Sequence, residues 1–85
     1  MFSQDVKAQP EYAAMVKNFD RCFDLAKQGV AAKKREQDHT PYQLTIHRLN
    51  LAGLQSIKPF LTRDSLQRCK GSIRYLEQQI KLLTK

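Results

Sequence analysis

The sequence has no tryptophan, only three glycines, three prolines and two cysteines, and just two acidic side chains beyond residue 40, Asp64 and Glu77. So little glycine and proline leaves few turn-making positions, which points to long regular elements rather than a loop-rich fold. Two cysteines cannot build the disulfide framework of a small secreted domain. Cys22 and Cys69 each fall on an apolar helical face and read as two free thiols of an intracellular protein. With His39 and His47 they are the only soft ligands, and their spacing matches no zinc pattern, so neither a metal nor another cofactor is expected. The glycines stand alone at 29, 53 and 71, which excludes a phosphate-cradling loop. No serine or cysteine has a recognisable base and orienting acid beside it, so the chain is not expected to be an enzyme. No stretch approaches the roughly 20 apolar residues that span a bilayer. The opening MFSQDVKAQP lacks the apolar run of a signal peptide or anchor, and a cytoplasmic protein without membrane contact is expected.

What is present is helical periodicity. The 85 residues, 41% hydrophobic and 27% charged, suit one helical domain over 1–85 with a single small core. The first helix is expected over about 10–35, opening at Pro10, with Tyr12, Met15, Val16, Phe19, Cys22, Phe23, Ala26 and Val30 on one apolar arc. The second is expected over 41–58. TPYQ at 40–43 reads as a capping box with Thr40 as cap, and Pro59 ends the helix. This helix carries two apolar stripes, one of Tyr42, Ile46, Leu49 and Ile57 and one of Leu44, Leu51 and Leu54, as expected of a helix wedged between two neighbours. The third is expected over 63–84, capped by Thr62 with Leu61 stapled onto Leu66. Leu66, Cys69, Ile73, Leu76, Ile80 and Leu83 then recur at alternating steps of three and four, a coiled-coil-like heptad seam. Short connections imply antiparallel neighbours. The expected fold is therefore all-α, a small three-helix up-down-up bundle closed within one chain or completed by a second copy as a homodimer.

The charge is +7 overall, and residues 41–85, with eight basic and two acidic side chains, carry +6 of it. On the last helix Arg63, Lys70, Arg74, Lys81 and Lys85 fall in one band, with Gln67 and Gln78 among them, about 130° from the seam at 100° per residue. A solvated helix back is the plain explanation of such a band. Tyr75 and Leu82, spaced i,i+7 off the seam, favour a contact surface for a phosphate backbone with base stacking. Lys33, Lys34 and Arg35, with Arg48, extend the positive field. The tail RCKGSIRYLEQQIKLLTK resembles the C-terminal helix of the PriC family of primosomal replication-restart proteins in its R-C-basic opening and L-T-basic close. That resemblance covers about a fifth of the chain; it implies a setting of single-stranded DNA and replication proteins and transfers no functional residue.

These readings converge on a small non-enzymatic accessory or regulatory protein. Its basic last helix is expected to contact nucleic acid, single-stranded or otherwise, or a nucleic-acid-bound protein machine through Arg63, Lys70, Arg74, Tyr75, Gln78, Lys81 and Leu82, with Lys33, Lys34, Arg35 and Arg48 as secondary contacts. The alternative is a protein-binding adaptor or inhibitor, acting through surplus apolar stripes that a minimal core does not need.

Overall fold

A computed structural model describes residues 3–84. Its elements are α1 (Gln4–Lys7), α2 (Pro10–Lys34), α3 (Thr40–Ile57), a 3-10 turn (Lys58–Phe60) and α4 (Arg63–Leu83), with no strand among the described residues. The fold is all-α, as the scarcity of turn residues implied.

The helix ends follow from local chemistry, though not always from the residues expected. α1 was not foreseen. Ser3 accepts a hydrogen bond from the Val6 N–H at 3.4 Å, and the single turn delivers Val6 into the core. Pro10 opens α2 at its first turn, where a missing N–H leaves no bond unmade. α2 closes through two backbone bonds, Gln37 N–H to the Ala32 carbonyl (2.9 Å) and Glu36 N–H to the Lys33 carbonyl (3.1 Å). That pairing requires a left-handed residue after the cap, and Glu36 supplies it at φ 58°. The capping box at 40–43 does not form. His39 takes the cap position, no side chain bonds back to the helix, and Thr40 instead donates its N–H to Asp38 Oδ1 at 3.0 Å. An aspartate two residues earlier offers that N–H a nearer acceptor than the Gln43 side chain, which would have taken it in a capping box. Pro59 ends α3, which stops at Ile57, one residue before the expected Lys58, because Lys58 begins a 3-10 turn that leads to an extended Leu61. Thr62 precedes α4 but makes no side-chain cap bond. Leu61 is buried in the core cluster with Leu66 half-buried against it, while Phe60 stays exposed.

α3 is the central element. It packs along α2 and, over a shorter stretch, along α4, whereas α2 and α4 scarcely approach each other. Between α2 and α3 the partners run in opposite senses. Met15 meets Gly53, Asn18 Nδ2 donates to the Leu49 carbonyl (3.3 Å), Cys22 Sγ lies 3.6 Å from the Ile46 carbonyl, and Gly29 meets Tyr42. Met15, Asn18, Cys22, Leu25, Gly29 and Ala32 thus form one seam at steps of three and four. It permits close approach because two of its contacts are glycines. On α4, Cys69, Ile73 and Leu76 are buried, and Leu66, Ile80 and Leu83 are half-buried. Val6, Met15, Ile57, Leu61, Cys69 and Ile73 share one cluster.

The cross-section shows that this arrangement is open. Helices about 9 Å apart, with Cα radii of about 2.3 Å, would give a closed triangle of about 14 by 12 Å. The observed minor extents are 24 and 16 Å. With α2 and α4 scarcely in contact, a trough is left between them over α3.

Candidate functional site

The trough divides the single apolar arc expected on α2 into two stripes. One faces α3. The other, one residue further on, comprises Val16, Phe19, Phe23, Ala26 and Val30 at steps of three and four; Phe19 packs half-buried against the core cluster, and the other four are exposed. Phe23 is 67% exposed and Val30 55%. The eight residues expected on one apolar arc are thus shared between a packed flank and an open one. Periodicity identified them as apolar but could not say that only one flank of the arc would find a neighbour.

Phe19, Cys22, Phe23 and Ala26 form one wall of the trough. Ile46, Asn50 and Leu54 of α3 form its floor, and Ser72, Tyr75 and Leu76 of α4 form the opposite wall, enclosing about 630 Å³. A second hollow of about 290 Å³ continues from it. The two share Ala26 and Ile46, and the second ends at Lys33, His39 and Tyr42. The floor is polar at one point: Cys22 Sγ lies 3.3 Å from Asn50 Oδ1 and 3.6 Å from the Ile46 carbonyl, so the single thiol proton has two oxygens within reach. Burial pushes the Cys22 thiol up. Burial does the same to Cys69, with the Lys58 ammonium partly opposing it, and Cys69 Sγ donates to the Leu54 carbonyl at 3.6 Å. Protonated thiols bonded to carbonyls are poor nucleophiles. Among the described residues no three His, Cys, Asp or Glu side chains converge on a common point, and no helix is long and apolar enough to cross a membrane.

The expected contact residues separate into two groups. Lys70, Arg74, Gln78 and Lys81 lie exposed on one flank of α4. There Gln78 and Lys81 border a hollow with Leu51, Glu77 and Ile80. Arg63 opens the helix in the left-handed region at φ 51°. Tyr75, 58% exposed, and Leu82, 53% exposed, lie on the other flank, and Tyr75 belongs to the trough. Lys33 lines the end of the trough, with Lys34 and Arg35 exposed beyond it. Arg48 is exposed on α3, about 160° around the helix from the floor residues at 100° per residue. Lys85 lies outside the described residues. The residues that sequence reasoning missed as a site are Phe19, Phe23, Ala26 and Val30. Their signal was present as a second heptad stripe beside the first.

No family model, no curated protein and no solved structure matches this chain.

Proposed function

We propose that this chain is a non-enzymatic adaptor or inhibitor that seats a segment of a larger protein in the trough between α2 and α4. It is built up-down-up, with the heptad-like seam of α4 turned inward onto its own core. The observation that supports this reading is the pair of aromatic side chains, Phe23 and Tyr75, held out on facing walls of one apolar trough. Leaving two large rings in water is unfavourable unless a partner covers them, and apolar surface of this kind marks interaction sites. The trough's walls and floor are helical, the setting in which an amphipathic segment is received.

A second reading rests on a separate observation. The Lys70, Arg74 and Lys81 flank is exposed, and the second half of the chain carries most of the positive charge, as a polyanion-contacting surface would. Capture of partners from lysate on the immobilised chain distinguishes the two. Under the adaptor reading, capture survives nuclease treatment and the pair Lys70→Glu with Arg74→Glu, and is lost with Phe23→Asp. Capture that disappears with nuclease and with the charge reversals, while tolerating Phe23→Asp, would favour nucleic acid and overturn the adaptor reading.

A further inference from the structure

We infer that the occupant of the trough is an amphipathic helix of a partner protein, apolar on one face and carboxylate-rich at the end that lies beside Lys33, Lys34 and Arg35. This rests on the adaptor reading above. The length is suitable: from Phe19 to Lys33 α2 advances about 21 Å at 1.5 Å per residue, which matches about four turns of a second helix. The surface is suitable too. Phe19, Phe23, Ala26 and Val30 recur at steps of four, three and four, giving the ridge against which anchors at i, i+3 or i+4, and i+7 interdigitate.

Charge identifies the chemistry of the occupant. Along both hollows the lining contains no carboxylate, and the one fully charged side chain is Lys33. Lys34 and Arg35 follow it at the exposed end of α2. Glu36 and Asp38 lie exposed just past these cations, so residues 33–38 hold three cations and two carboxylates. Neither acid lines the hollow, and Asp38 is engaged by the Thr40 N–H. Asp20 and Asp24 fall about 90° and 130° around α2 from the middle of the open stripe at 100° per residue. An apolar trough with cations at one end complements a helix whose apolar face leads into acidic residues. A second copy of this chain is poorly matched. Lys34, Arg74 and Lys81 border its exposed apolar stripes, with Lys27 and Asp20 together on one flank of α2, and each copy carries +7, so two copies would bring a net excess of cations together. A nucleic acid is poorly matched as well, since the apolar floor presents no row of phosphate donors.

The test uses the intact chain and three synthetic 15-residue helical peptides. Each has leucines and one tryptophan on a single face. One carries four glutamates at one end, the second has lysines in their place, and the third has the acidic composition with the apolar face scrambled. The protein contains no tryptophan, so the peptide indole reports its own entry by a blue shift in emission. The acidic amphipathic peptide should bind at least tenfold more tightly than the lysine peptide, with the scrambled one inert. Its affinity should fall at least tenfold in the variant Lys33→Glu, Lys34→Glu, Arg35→Glu and be lost in Phe23→Asp. Circular dichroism verifies the fold of each variant, and Tyr75→Ala gives an independent lesion on the facing wall. Equal binding of the acidic and lysine peptides, abolished by Phe23→Asp, would overturn the charge inference and leave the groove reading standing. Binding by neither peptide, or binding indifferent to both Phe23→Asp and Tyr75→Ala, would overturn both. A chain that self-associates through these residues would overturn the heterologous occupant.

Discussion

Met15 occupies the space that a side chain at position 53 would need: a Cβ added to Gly53 would stand 2.9 Å from Met15 Cγ and 3.4 Å from its Cα. Met15 is 1% exposed and has no room to withdraw. The absence of a side chain at 53 therefore sets how closely α2 and α3 approach, and so how much of α2 is left over to wall the trough.

Gly53→Ala should accordingly destabilise the fold by about 1–3 kcal/mol from overpacking, reduced by the roughly 1 kcal/mol by which alanine outranks glycine in a helix. Gly71, where an added Cβ meets nothing within 4 Å, is the control. Gly71→Ala should gain about 0.5–1 kcal/mol from helix propensity alone. Urea titration of the two variants measures the contrast, and equal shifts of the same sign would refute the close packing.

Glu36 ends α2 in the left-handed region at φ 58°, a conformation that costs a residue with a Cβ about 1–2 kcal/mol relative to its preferred wells. Glu36→Gly keeps both closing backbone bonds and removes that strain, so thermal unfolding should shift upward, by an amount equivalent to about 1 kcal/mol. A shift downward would mean that the left-handed turn is not the one adopted.

Acid should loosen the start of α3. The Thr40 backbone N–H, and then its side chain, hold the Asp38 carboxyl below its ordinary value. A carboxylate whose folded value is depressed stabilises the fold above the unfolded value, and that contribution is lost as pH falls through the folded one. Asp38→Asn keeps an oxygen acceptor but does not titrate. The variant should show a shallower loss of helicity between about pH 5 and about pH 2 than the parent chain. Identical pH profiles would remove Asp38 from the turn.

Lys70→Glu with Arg74→Glu should leave the fold nearly unchanged, because both side chains are exposed and surface substitutions usually change stability by less than about 0.5 kcal/mol. If the flank contacts phosphates, binding of a fluorescent single-stranded oligonucleotide by the parent chain should weaken steeply with salt and vanish in the variant. Oligonucleotide binding that ignores the substitution would assign the band to solvent.

The helices were legible in the sequence because their signals are local. Pro10 and Pro59 punctuate the chain, and the Leu66-to-Leu83 period marks one buried face. The failures were of two kinds. Some were competitions between neighbouring acceptors: Asp38 captured the Thr40 N–H that a capping box would have used elsewhere, and Glu36 took a place where glycine is the usual signal. Others came from the tertiary arrangement. Periodicity shows that Phe23 and Met15 are both apolar, 80° apart on one helix at 100° per residue, but it does not say which of them meets α3. Likewise Tyr75 and Arg74 are adjacent in sequence, and only the position of α4 puts Tyr75 on the trough wall and Arg74 outside it. α1 escaped notice because a single turn has no period to read.

Proton–proton contacts in the isotopically labelled chain test the open trough most directly. In the free protein the Phe23 ring should show no cross-peaks to the Tyr75 ring. Both rings should gain cross-peaks to the acidic amphipathic peptide when it is added. Strong Phe23–Tyr75 contacts in the free chain would mean that α4 closes onto α2, that no trough awaits a partner, and that the account is wrong.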